Sequence, residues 1–269
     1  MVFEQLFKLR WIERKEHAFI LGFVYSIIGL VSAKIIFPAS VGLMSVAFTS
    51  VLLIPSLNLL LRLEENVEIR ENKLSMKQLF KDHKDIFKVY IFMFLGVFAA
   101  YSLTSLFLSD ITIQKMFSPQ LKSAGITGFA IFDSQLYNIV ANNLLVFIVC
   151  FILSLIYGAG SVLFLTWNAS VWGTVFGFFV KQTSQIAGSS QFTHFANSIV
   201  PFLPHMITEA IAYISAAIVG GVVSKAVLRE KLFSKKFHHI MTDAMVFLVL
   251  GLILVMIAGF VEVNLYAYG

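Results

Sequence analysis

The chain has 269 residues, 58% of them hydrophobic and 13% charged, with a formal net charge of +5. Soluble domains carry about a quarter charged residues, and several apolar runs here exceed the roughly 18 residues that cross a bilayer, which excludes an ordinary soluble domain. No run shows the period-two alternation of a barrel strand, so the expected fold class is all-α, a polytopic transmembrane helix bundle forming one integral membrane domain over 1–269. The positive charge is better explained by cytoplasmic loops than by nucleic acid, because no basic patch with interleaved aromatics stands out. Cys150 is the one cysteine. It rules out an intrachain disulfide and a cysteine metal site, and it reads as a small buried apolar residue.

Residues 1–16 alternate Phe3, Leu6, Phe7 and Trp11 with Lys8, Arg10, Arg14 and Lys15, the pattern of an interfacial amphipathic helix. The run 17–37 is too long for the core of a signal peptide and reads as the first span. Pro38-Ala-Ser40 is a tight turn, and the second span follows over 41–61. Residues 62–87 are the most charged segment, expected as a cytoplasmic amphipathic stretch. In it Ser75 and Gln78 form a capping box, Leu74 and Leu79 a staple, and Leu79, Phe80, His83 and Phe87 one helix side. The third span covers about 88–108. The long connection 109–138 is expected to cap the bundle or dip into the interface. The fourth span runs over about 139–157, Gly158-Ala-Gly-Ser161 breaks the chain, and the fifth runs over about 162–180. Residues 182–200 read as a polar loop, 201–224 as the sixth span, 225–243 as a basic loop, and 244–265 as the seventh span.

With the N-terminus inside, sixteen of the twenty Lys and Arg fall in the inner segments 1–16, 62–88 and 225–243. Lys34, Lys115, Lys122 and Lys181 remain at outer ends or in outer loops. That asymmetry predicts about seven transmembrane helices, N-terminus inside and C-terminus outside, in a multi-pass protein of the cell membrane. No internal repeat of the inverted-transporter kind is visible.

The sixth span carries His205 and Glu209, one helical turn apart on one face. Ala212, Ala216 and Gly220 share that face, while Ile207, Ile211, Ile214, Ile218 and Val222 form a stripe expected to meet lipid or another subunit. Glu262 and Asn264 lie at the outer end of the seventh span, whose small face includes Gly251 and Ala258. Asn142 and Asn143 lie near the outer end of the fourth span. The fifth span adds Asn168, with Gly173 and Gly177 at GxxxG spacing. Ionisable groups at this depth cost several kcal/mol by insertion scales and face partners or water. The polar set His205, Glu209, Glu262, Asn142, Asn143 and Asn168 is therefore either a shared site opening outward or a group of residues that satisfy one another and the backbone. For Asn142 and Asn143, interhelical hydrogen bonding is the simpler role.

Asn142-Asn143, Tyr157-Gly-Ala-Gly160, Trp167-Asn168 with Gly173 and Gly177, Pro204-His205 with Glu209, Gly220-Gly221, and Gly259 with Glu262 together resemble the stage II sporulation protein M family over about 139–265. Pro38-Ala-Ser40 and Pro55 resemble archaeal members more than bacterial ones. The resemblance implies an integral membrane protein whose namesake acts with other membrane proteins and cell-wall hydrolases, without being the hydrolase. The first expectation is accordingly a non-enzymatic scaffold or partner of other membrane proteins, in lipid, open to homo-oligomerisation, without nucleic acid and without a cofactor. G-x-x-x-x-G-K-[ST] is absent. The alternative is a channel or transporter using the His/Glu face. An intramembrane metal-dependent hydrolase ranks below both, because H-E-x-x-H is absent.

Overall fold

A computed structural model of the chain describes residues 15–68, 76–123, 136–188 and 190–268. The described residues form nine α-helices: α1 Lys15–Ile36, α2 Val41–Glu68, α3 Met76–Phe107, α4 Asp110–Met116, α5 Ser118–Ser123, α6 Leu136–Tyr157, α7 Val162–Ala187, α8 Gln191–Arg229 and α9 Lys235–Tyr268. No strand occurs among them. Seven are long and apolar enough to cross a membrane, namely α1, α2, α3, α6, α7, α8 and α9. Lipid offers the backbone no hydrogen bonds, so an apolar run there closes its own as a helix. Buried hydroxyls follow the same rule. Ser26 donates to the Gly22 carbonyl and Ser50 to the Val46 carbonyl, both at 2.7 Å.

The spans pack where glycine removes the side chain. A methyl group added at Gly22 would run into the carbonyl of Met93, and one at Gly96 into that of Phe19, so α1 and α3 touch backbone to backbone. On α7, Gly173 lies against Phe98 and Tyr101, and Gly177 against Ser102 and Ser105, all of α3. Gly220 of α8 meets the Phe151 carbonyl of α6, while Gly251 of α9 meets Ser215 of α8 and the Phe147 ring of α6. Membrane helices gain little from expelling lipid, so such close approach carries much of their association.

Helix α8 is the axis of the C-terminal half, and here the structure corrects the expected lipid-facing stripe. Ile214, Ile218 and Val222 are buried, as are Ala212 and Ala216 on the other face. Only Ile207, near the start of the span, is exposed. The helix is enclosed by α6, α9, α7, α2 and α3, so its aliphatic side meets protein. The lipid-facing positions sit instead on peripheral helices, such as Ile28 and Ile35 of α1 and Ile253 and Phe260 of α9.

Several expected loops are helix. In place of a loop over 182–200, α7 ends at Gly188, whose φ of 61° makes a left-handed cap, and α8 begins at Gln191. α8 thus begins ten residues before the expected span start at Pro201, and both Pro201 and Pro204 lie inside it. The Thr208 hydroxyl donates back to the Pro204 carbonyl at 2.6 Å. The basic stretch 225–243 is mostly helix too, with only residues 230–234 between α8 and α9. α3 runs unbroken from Met76 to Phe107, so among the described residues the end of the amphipathic stretch and the third span share one helix. The interfacial helix over 1–16, apart from its last two residues, and the Leu74–Ser75 cap lie outside the described residues.

The connection after α3 wedges into the bundle. Phe117, Gln120 and Leu121 are buried, and Gln120 donates to the Gly42 carbonyl of α2 at 2.9 Å and to Ser170 of α7 at 3.5 Å. Ser170 is eleven residues before Lys181 on α7, about 16 Å by helical rise. At the rim, Lys181 pairs with Asp110 at 2.7 Å and Gln182 donates to the same carboxylate at 2.7 Å. The α4–α5 segment therefore descends from this clasp into the bundle. The Lys181 and Gln182 hydrogen bonds hold the Asp110 carboxyl below the usual carboxylate range.

Candidate functional site

His205 and Glu209 are placed by helical periodicity on α8, one turn apart. Because α8 lies inside the bundle, that turn faces neighbouring helices. Glu209 is buried, His205 is partly buried, and both ring nitrogens of His205 are shut away from solvent without a hydrogen-bond partner. The imidazole lies against the Trp172 ring of α7, with centroids 6.0 Å apart. Glu262 arrives from the C-terminal part of α9 and is half-buried. One ligand-capable atom from each of His205, Glu209 and Glu262 lies within 4.8 Å of the others.

Asn143 of α6 joins this group. Its Nδ2 donates to Glu209 Oε1. Its Oδ1 accepts from the Tyr213 hydroxyl at 3.0 Å. One amide thus fixes the Glu209 carboxylate and is itself fixed by a tyrosine one turn along α8 from Glu209. Three helices meet here, and Asn143, His205 and Glu209 all lie within seven residues of the start of their apolar spans, with Glu262 at the end of its own. The cluster therefore sits near one face of the membrane.

The other polar residues lie elsewhere. Asn142 is exposed, because the residue next to Asn143 on a helix is turned by about 100°. Asn168 donates to the Phe164 carbonyl of its own helix at 2.8 Å instead of crossing to the cluster. Asn264 has no described side chain. His239 faces Asp243 at 3.7 Å at the opposite end of α9. Tyr213 was not singled out from the sequence. Its position one turn beyond Glu209, on the same face, was the available signal.

Chemically, the cluster offers two carboxylates, a neutral amide that orients one of them, and an imidazole with unused nitrogens. Each unsatisfied buried polar atom costs about 1–3 kcal/mol, and two carboxylates at short range in a low dielectric take up protons or a counter-charge. This is a site able to hold a positively charged species.

Fold and cluster define a seven-span helical membrane protein with a polar junction between α6, α8 and α9. The chain belongs to the stage II sporulation protein M family, whose model it matches over residues 18–265. The match takes in nearly the whole chain, well beyond the 139–265 suggested by the motifs. No curated protein and no solved structure matches it.

Proposed function

We propose that this protein is a non-enzymatic, multi-pass component of a complex in the cell membrane, with its N-terminus in the cytoplasm. Family membership over residues 18–265 carries this reading, because the family's namesake is similar in being a membrane partner of other proteins rather than the hydrolase among them. The Lys and Arg asymmetry supports the orientation. The apolar outer faces of α1 and α9, with Val31, Ile35, Met256 and Phe260 exposed, supply surface for lipid and for partner helices. The test is site-specific photo-crosslinking in native membranes from Val31, Ile35, Met256 and Phe260 in turn. A discrete protein adduct from one face is expected. Adducts to lipid alone from all four positions would contradict the partner reading.

A second reading, a channel or transporter, has the junction of His205, Glu209 and Glu262 in its favour. Cation uptake by sealed proteoliposomes, abolished by Glu209→Gln, would replace the partner reading with this one. No uptake would retire it.

A further inference from the structure

We propose that His205, Glu209 and Glu262 form a site for one divalent metal ion of the zinc type, held at the junction of α8 and α9. The inference goes beyond the partner reading and needs neither a partner nor transport. Three observations support it.

The first is geometry. The three ligand-capable atoms lie within 4.8 Å of one another. The centre of a triangle with sides of that length is about 2.8 Å from each corner, so closure by roughly 0.7 Å per ligand reaches the 2.0–2.2 Å of zinc–nitrogen and zinc–oxygen bonds. Side-chain torsions alone span that distance. The second is the pair of orphaned atoms. Neither nitrogen of His205 has a partner, and both are closed off from solvent in a ring packed on Trp172. A metal would use one of these lone pairs. The third is support behind the ligands. Asn143 binds one oxygen of Glu209, and Tyr213 holds Asn143. This leaves the second Glu209 oxygen for the ion and orients it, as outer hydrogen bonds do in metal sites.

Charge and ligand type select the ion. Two carboxylates, a neutral imidazole and a divalent cation sum to zero, the state that costs least at membrane depth. A single monovalent cation would leave one negative charge, and the metal-free neutral state has both carboxyls protonated. Imidazole as a ligand favours zinc and its transition-metal neighbours over calcium and magnesium. Three protein ligands leave a fourth position open.

The experiment uses the full chain in detergent micelles, freed of metal by chelation, with Zn²⁺ and Co²⁺ as the probes. Calorimetry should show one Zn²⁺ per chain, and Co²⁺ should give the visible spectrum of a four-coordinate nitrogen and oxygen site. His205→Ala, Glu209→Gln and Glu262→Gln should each weaken Zn²⁺ binding at least 100-fold, whereas His239→Ala at the opposite end should leave it unchanged. Ca²⁺ and Mg²⁺ should bind at least 100-fold more weakly than Zn²⁺. Should a variant fail to fold, X-ray absorption on the Zn²⁺-loaded wild type decides, with one imidazole and two carboxylates expected in the first shell. The proposal is overturned by the absence of stoichiometric binding, by binding undiminished in the two glutamine variants, by preference for Ca²⁺ or Mg²⁺, or by a first shell without imidazole. Binding in detergent is read without partner or flux, so failure of either reading under the proposed function leaves this result separate.

Discussion

Asn143 and Asn142 are chemically identical neighbours, and the structure assigns them opposite surroundings. Asn143 is buried and serves Glu209 and Tyr213, while Asn142 is exposed. Removing the Asn143 amide strips bonds from two buried groups, so Asn143→Ala should cost about 2–3 kcal/mol. Asn142→Ala should stay within about 0.5 kcal/mol of the parent. Thermal melts in detergent separate the two, and equal losses would contradict the assignment. The sequence could place both asparagines at the right depth but could not choose between them. Choosing needs the rotational phase of α6, and its near-uniform apolar sequence carries little phase information. His205 and Glu209 were easier to read, because two ionisable groups one turn apart in an apolar run mark a face by themselves. At the rim, Asp110 gives a pH signature. Its carboxyl is held below the ordinary value by Lys181 and Gln182, so its stabilising effect is fully present above the unfolded value of about 3.9 and is lost as pH falls through the lower folded value. The melting-temperature gap between wild type and Asp110→Asn should be present at about pH 6 and shrink towards about pH 3. A gap that widens on acidification would refute the clasp.

Among the elements, α8 shows both the reach and the failure of pattern reading. Its small face and its aliphatic stripe are real, but small on one side and aliphatic on the other does not imply lipid on the aliphatic side. Lipid tails are as apolar as isoleucine, so a side chain has almost the same composition whether it faces lipid or another helix. Ile214 is therefore buried, although its place on the stripe pointed outward. In the membrane the cost of truncating it comes mainly from the cavity left behind, so Ile214→Ala should lose about 2 kcal/mol and Ile207→Ala, at an exposed position, about 0.5 kcal/mol or less. Glycine was more informative. Gly173, Gly177, Gly220 and Gly251 each stand where a neighbouring helix leaves no room for a methyl group. Gly251→Leu would drive into Ser215 and the Phe147 ring, whereas Ile214→Leu keeps its volume. The first should lower the melting temperature well beyond the second, and equal tolerance would count against the packing described. The start of α8 was misplaced: the polar composition of 182–200 read as a loop, yet α8 begins at Gln191 and passes through Pro201 and Pro204, as membrane helices tolerate proline when neighbouring groups satisfy the freed carbonyls.

At the scale of the whole molecule, seven spans follow from hydropathy, since each is an apolar run of sufficient length. The wedge formed by α4 and α5 was only half visible. Its length and apolar content suggested partial folding, but its descent to Gly42 and Ser170 rests on Gln120, whose partners are far away in sequence. The central claim is the proposed orientation, in which the polar junction of α6, α8 and α9 lies towards the external face, at the same end of the bundle as Asp110 and α4. Ile111 on α4 and Leu232 between α8 and α9 are both exposed, near opposite ends of the bundle. Each is replaced by cysteine in a Cys150→Ser background, and sealed right-side-out vesicles are treated with a membrane-impermeant maleimide. Labelling of Ile111→Cys in intact vesicles, with Leu232→Cys labelled only after lysis, is the predicted result. The reverse pattern, or labelling of both from outside, would contradict it.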